Sequence, residues 1–393
     1  MEGSVQKSGN RLRIAIQLID AETDTHLWSE IFEQDYSDIF SIYSEVAQSV
    51  ASEMNAVITP DEKQLIEKMP TTDMSAYDAY LKGVFHMNIV TYEDTDIAMQ
   101  YFEQAKEIDP DFALAYSGLA WGWIRLQNMG DIKWSEAASR SEAAIMKALE
   151  LDSNLSDVHA TLATRKVWTY WDWEGGEESF RKAIEIDPNN AEAHRGYSTL
   201  LNVLGRLDEA MEQIEIALEL DPLNPVIWFR FGMSLIFSRR FDEAIAAIQE
   251  ALELNPRHGG ALAVLDWALY LAGRDQEEVK EAFRTFINVN LKDPAFIDIL
   301  ETYYPEGGYP LVNKKIADLI VTRPDSFNTS LFDISGFYII AGDIDNAMYW
   351  MERAYEERDP YLPFLLHPLY DILRDDPRFQ EIARKMNLPY KLN

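Results

Sequence analysis

The chain contains no cysteine, which excludes disulfide bridges and thiolate-held metals. It is poor in positive charge: 35 Lys and Arg stand against 67 Asp and Glu, a formal net charge of −32. That balance repels nucleic acid and anionic membrane surfaces. Its plainest meaning is a solvated acidic surface; adaptation to salt or a taste for basic partners is the sharper reading. No apolar run approaches the roughly 20 residues of a membrane span. Residues 1–15 lack the basic-then-apolar layout of a signal peptide, so no membrane insertion by this chain is expected. Chemical signatures are missing too. The six histidines (His26, His86, His159, His194, His258 and His367) form no HExxH motif or close metal pair. No P-loop, GxSxG or GxGxxG occurs, and the acidic pairs fall mostly on helix faces. No catalytic residue, cofactor or metal is therefore expected, and the chain reads as a non-enzyme.

What is present is a period. Residues 191–224 and 225–258 are two segments of 34 residues, and Ala210 and Ala217 of the first recur as Ala244 and Ala251 of the second. Pro188, Pro222 and Pro256 repeat at the same step of 34. Ala98, Ala105 and Pro110 keep the offsets earlier in the chain, and Ala347 and Ala354 keep them later. These residues resemble the tetratricopeptide repeat, in which small residues sit where paired helices approach and a proline follows the second helix. The resemblance implies a mainly α fold, a right-handed superhelical solenoid whose units bury their apolar faces only by stacking.

Repeats are expected near 76–112, 113–155, 156–190, 191–224, 225–258, 259–294 and 328–361. The array at 76–294 carries an insertion near 126–136, because Ala105 to Ala148 is 43 residues rather than 34. The stretch 295–327 is degenerate, with "YYPEGGYP" at 303–310 reading as a loop. Residues 328–393 read as a last repeat with capping helices, in which Asp376 and Pro377 start the final helix over Phe379, Ile382, Ala383 and Met386.

Ahead of the array, 1–60 reads as a small α/β segment and 61–75 as a linker. Leu12, Ile14, Ile16 and Leu18 alternate with polar neighbours, which predicts a strand at 11–20; a second strand is predicted at 26–34. A helix is predicted at 38–57, capped by Ser37, with Ile39, Ile42, Val46 and Val50 on one stripe. The strand at 11–20 is expected to have "THLWSEIF" on one side and an unpartnered edge on the other. That edge would be covered by the first repeats or pair with a second copy as a homodimer.

"EGSVQKSGNRLRIAIQLIDAETDTHLWSEIFEQDYSDIFSIYSEVAQSVA" resembles the carboxyl-terminal half of the TolB-like amino-terminal domain. In bacterial signalling proteins that domain directly precedes tetratricopeptide repeats. "WTYWDWEGGEESFRKAIEIDPNNAEAH", "LLNVLGRLDEAMEQIEIALELDPLNPVI" and "ERDPYLPFLLHPLYDILRDDPRF" extend the resemblance over nearly the whole chain. Family members often carry an upstream output module, such as a class III nucleotide cyclase or a winged-helix domain, sometimes across a membrane span. Neither activity carries over to these residues, and the compartment stays open between cytoplasm and periplasm. What carries over is a sensor or scaffold half, a protein- or peptide-binding module.

In that family, positions 2, 5, 9, 12 and 13 of a repeat face the concave groove. This implies Ser117, Trp121 and Arg125, then Thr161, Arg165 and Trp168, then Arg195, Thr199 and Asn202. Phe229, Met233 and Ile236 follow, and Trp267 and Tyr270 come last. Arginine and tryptophan dominate the first half and apolar groups the second, which suits a peptide with an acidic end. The alternative is a small-molecule sensor for a sugar or nucleotide, using Trp168, Trp171 and Trp173 of "WTYWDWEGG", the densest aromatic cluster. Trp171 stands where the repeat usually has glycine at its helix–helix turn.

Overall fold

A computed structural model describes residues 2–388 apart from 21–22, 24, 36–38, 55, 68, 90, 129–131, 133 and 324–328. The chain divides into two compact units, Met1–Asp78 and Ala79–Asn393.

The first unit is built on three antiparallel strands in the order β1 (Glu2–Ser8), β2 (Arg11–Asp20) and β3 (Thr25–Asp35). The expected hairpin is therefore a three-stranded meander, and Arg11–Asp20 is its middle strand rather than an open edge. Ser8 pairs with Arg11 across a two-residue turn in which Gly9 takes φ 62°. That turn places glycine first, the arrangement whose twist matches the flanking strands. The alternation read from the sequence holds: Leu12, Ile14 and Phe32 are buried against Ile42, with Trp28, Val46 and Met74 packed around them. β1 carries no such alternation, since all seven of its residues are exposed, and so no strand signal marks it in the sequence. A helix spans Ile39–Glu53. Ser37, its expected cap, lies outside the described residues. The expected linker contains a helix of its own, Pro60–Glu67, whose Ile66 carbonyl accepts a hydrogen bond from Ser44 at 3.0 Å.

The second unit is a stack of helix pairs. Ser156–Arg165 pairs with Trp173–Ile186, Ala191–Val203 with Leu207–Leu220, Pro225–Phe237 with Phe241–Leu254, and Gly259–Leu271 with Gln276–Phe286. The short connections make each pair antiparallel neighbours. The period has visible causes. Ala183, Ala217 and Ala251 are fully buried, and each accepts the backbone N–H of the residue that ends its helix, Asp187, Asp221 or Asn255. The turn inside each pair needs a left-handed residue: Trp171, Gly205, Arg239 and Gly273, 34 apart, take φ of 55°, 74°, 59° and 66°. Trp171 thus adopts the glycine conformation that its position demands, at the end of a π-helical turn over Lys166–Tyr170.

Two regions differ from expectation. "YYPEGGYP" is not a loop: helix runs over Pro294–Thr322 and is broken only at Gly308 (φ 64°, ψ −160°). Pro310 then stands in the first turn of the second half, where its missing N–H costs nothing. The other region is Asp359–Leu373, which forms no helix pair. Two short 3-10 turns, Leu362–Phe364 and Pro368–Leu373, carry it as a strap, with Leu362, Leu365 and Tyr370 buried. The closing helix Pro377–Lys385 is capped by Asp376 as expected, and Phe379, Ile382 and Ala383 are buried.

Candidate functional site

The helices Ala113–Asn128, Ser156–Arg165, Ala191–Val203, Pro225–Phe237 and Gly259–Leu271 open their inner faces onto one cavity of about 350 Å³. Trp121, Arg125, Trp168, Arg195 and Thr199 line it from the earlier repeats. Phe229, Met233 and Trp267 line it from the later ones. The opposite wall is the chain's own: Phe332, Asp333 and Phe337, with Tyr361, Phe364, His367 and Tyr370 of the strap.

The strap is fixed at several points. Asp359 accepts the Ser330 hydroxyl at 2.9 Å and the Leu331 and Tyr361 N–H groups at 2.8 and 2.9 Å. Phe364 packs on Trp168, ring centroids 5.2 Å apart. His367 meets Phe237 and Trp267 edge-on at 5.8 and 5.9 Å. Tyr370 stacks on Phe332 at 4.4 Å, and Asp371 pairs with Arg239 at 2.6 Å.

Three sequence-derived groove residues lie elsewhere. Arg165 is 2% exposed and donates to Ser141, Tyr170 and Glu142, tying its helix to Trp134–Leu151. Asn202 donates to the Ser234 hydroxyl at 2.7 Å between adjacent repeats. Tyr270 packs against Tyr309, centroids 5.1 Å apart. Of the further inward positions, Ser117 sits 3.4 Å from Thr161, and Ile236 is fully buried. Of the aromatic cluster, only Trp168 reaches the cavity. Trp171 lies between Tyr355 and the Arg358 guanidinium, and Trp173 is buried, donating its indole N–H to the Met386 carbonyl at 2.8 Å. His159 and His194 do not meet: His159 bonds the Ser153 carbonyl, while His194 bonds Gln213 and the Pro188 carbonyl.

The sequence reading missed the strap side chains that line the cavity and, on the repeats, Arg230 and His258 among others. Arg230 adjoins Phe229, one position off the expected inward set. His258 occupies the helix-capping place held by Asn190 and Asn224 in the two preceding repeats, and its Nδ1 accepts the Ala261 N–H at 3.1 Å. The 34-residue step through Asn190, Asn224 and His258 was the signal that could have found it.

The cavity is electropositive within an acidic protein. Arg125 stacks on Trp121 at 4.9 Å and Arg230 on Phe229 at 5.1 Å. Burial and the repulsion of Arg195 bring both guanidinium groups down to about 10, with Glu192 partly offsetting this. Arg195 also suffers burial, but its ion pair with Glu192 holds it above the ordinary value. Burial, reinforced by Arg230, lowers His258 to about 4, and burial alone lowers His367 to about 3. The two carboxylates of the lining behave oppositely. Burial raises Asp266 to about 7, where Tyr309 donates to it. Burial and the neighbouring Asp359 raise Asp333 to about 7. Among the described residues no cluster of three His, Asp or Glu side chains is placed to hold a metal ion, and no helix is long and apolar enough to cross a membrane.

A search of solved structures finds the Pseudomonas aeruginosa PilF protein at 17% identity, covering 70% of this chain and 97% of that one, with a TM-score of 0.39. A TPR protein of Thermus thermophilus aligns at 18% identity over 50% of this chain and 99% of its own, with a TM-score of 0.41. "Putative adenylate cyclase 3" of Rhizobium meliloti (strain 1021) is 28% identical over 175 residues, 43% of this chain. The match spans 29% of that protein's length. Tetratricopeptide-repeat family models match residues 172–229 and 229–288, the two consecutive stretches that carry the clearest 34-residue period.

Proposed function

We infer that this chain is a non-catalytic recognition module of a larger bacterial signalling protein, which takes a protein or peptide partner on the concave wall of its repeats. The observation that carries this is the convergence of inner-face side chains from the first helices of five successive helix pairs on one electropositive cavity. An acidic end of a partner chain would meet Arg125 and Arg230 there, while its apolar residues meet Phe229, Met233 and Trp267. The signalling setting rests on the partial likeness to a protein named as a putative adenylate cyclase and on the TolB-like wording of the front segment. In this reading residues 1–60 are part of the carboxyl-terminal half of such a domain, and self-association runs through the edge strand β1.

The test is a peptide array. Acidic-ended peptides should bind the full chain better than their amidated, neutral counterparts, and Arg125→Glu or Phe229→Ala should weaken the best binder at least tenfold. Equal binding of acidic and neutral peptides, or unchanged affinity in both variants, would remove the concave wall from consideration. A small-molecule reading has its own observation: the strap closes the far side of the groove, leaving a bounded space.

A further inference from the structure

We propose that the cavity is a binding site for a small aromatic oxyanion, a carboxylate or phosphate carried on one planar ring system. This rests on the reading that the concave wall is the binding face, but not on the partner being a polypeptide.

Donors outnumber acceptors in the cavity: Asp266 and Asp333 also line it, but burial raises both carboxyls to about 7, whereas the guanidinium groups stay charged. Arg125 and Arg230 form no ion pair with any carboxylate among the described residues, and the Arg230 Nε–H has no hydrogen-bond partner there. Arg125 donates from one Nη to the Met87 carbonyl, a neutral acceptor that leaves its charge uncompensated. Stacking on Trp121 and Phe229 holds each guanidinium by its face and keeps its remaining edge donors available, the geometry that suits an oxyanion. Of the nearby carboxylates, Glu192 is committed to Arg195, Asp266 takes the Tyr309 hydroxyl on one oxygen and leaves the other without a partner among the described residues, and Asp333 lines the cavity as well.

The two imidazoles add donors of the same kind. His258 Nδ1 accepts the Ala261 N–H, and His367 Nδ1 accepts the Leu369 N–H at 3.2 Å. A neutral ring that accepts at Nδ1 carries its proton on Nε2. Both side chains line the cavity, both are 2% exposed, and neither Nε2 has a partner among the described residues. Buried N–H groups left unpaired are costly, so two guanidinium edges and two imidazole N–H groups around one space call for acceptor oxygens. A cation would not satisfy them, and a neutral sugar would accept their hydrogen bonds without compensating the guanidinium charge.

The walls specify the rest of the molecule. Trp168, Phe229, Trp267 and Phe364 line the space with aromatic rings. At about 30 Å³ per water, 350 Å³ holds roughly a dozen waters, which suits one or two fused rings with an anionic group and not a peptide running through. The strap does not open to admit a longer chain cheaply. Leu362, Leu365 and Tyr370 are buried in the core, and Asp359 anchors its start through three donors.

Calorimetric titration of the full chain with 1-naphthyl phosphate, 1-naphthoate, neutral 1-naphthamide and inorganic phosphate tests this. One of the two naphthyl anions should bind at least tenfold more tightly than the amide and the inorganic ion, and which one it is separates a phosphate ligand from a carboxylate ligand. Arg230→Met should weaken that binding at least tenfold. His258→Asn should weaken it severalfold with an unchanged melting temperature, because asparagine caps the equivalent helices in the two preceding repeats. Equal binding of amide and anions, or unchanged affinity in folded Arg230→Met, overturns the proposal. An acidic hexapeptide is titrated in parallel. Peptide binding without naphthyl-anion binding overturns the small-anion site and leaves the partner reading standing. Failure of all ligands overturns both, and naphthyl-anion binding alone upholds the small-anion site against the peptide.

Discussion

Replacing Arg230 by methionine should make the unliganded protein more stable while weakening its affinity for anions at least tenfold. The guanidinium falls from 12.5 to about 10 through burial and the nearby arginines. A depression of that size corresponds to about 3 kcal/mol held against the charged form. Because the charged form is the disfavoured one, the penalty is present at pH 7 and is relieved only above pH 10. Methionine keeps the apolar stem and loses the stacking on Phe229, worth about 0.5–1 kcal/mol. The balance is a gain of about 2 kcal/mol, or an apparent melting temperature higher by roughly 3–6 °C. Scanning calorimetry at pH 7 and low salt reads it directly. Saturating 1-naphthyl phosphate or 1-naphthoate should narrow the gap, since a ligand at 100 times its wild-type Kd adds about 2.7 kcal/mol to wild type and about 1.4 kcal/mol or less to a variant that binds it at least tenfold more weakly. A folded Arg230→Met protein that melts at or below the wild-type temperature would refute the reasoning, because the guanidinium would then already be compensated.

Asp333→Asn should stabilise the protein by about 2–4 kcal/mol at pH 8 and leave it unchanged at pH 4. The folded chain holds Asp333 protonated up to about 7, so its ionisation cost grows as pH rises from about 4 to 7; urea titrations at the two pH values check the sign. Lys292→Gly should add roughly 0.5–1 kcal/mol, because exposed Lys292 holds φ 56°, whereas Trp171→Gly should cost stability through the contacts it loses with Tyr355 and Arg358. Thermal melts that move both variants in the same direction would contradict that distinction. Val5→Pro should turn a dimer into a monomer by light scattering if β1 supplies the self-association edge; a monomeric wild type rules that edge out.

Much of the fold was legible because its causes repeat in sequence. Ala183, Ala217 and Ala251 mark helix crossings, and Trp171, Gly205, Arg239 and Gly273 mark left-handed turns, each at a step of 34. β1 was illegible because an edge strand exposed throughout needs no alternation; its only sign was the Gly9–Asn10 pair before Arg11. The break at Gly308 looked like a loop because two prolines flank it, yet one of them only opens the next stretch of helix.

The site was half legible for a related reason. The repeat positions that the family resemblance implies as inward-facing include Trp121, Arg125, Arg195 and Phe229, and these line the cavity. It misplaced Arg165, which turns back to Glu142 and Ser141 just before the π-helical turn changes the register. The strap has no period at all, only "YLPFLLHPLY" with two prolines. Its place in the groove follows from tertiary contacts of Phe364, His367 and Tyr370 that no local pattern encodes.

The central claim is that the concave wall gathers cations to hold an anion. A crystal of the full chain grown with 4-bromobenzoate tests it most directly, through the anomalous signal of the bromine. The account predicts one strong peak inside the cavity, with the carboxylate facing Arg125 and Arg230 and the ring against Trp168 or Trp267. A well-ordered crystal with the cavity free of bromine, or with the carboxylate turned away from both arginines, would contradict it.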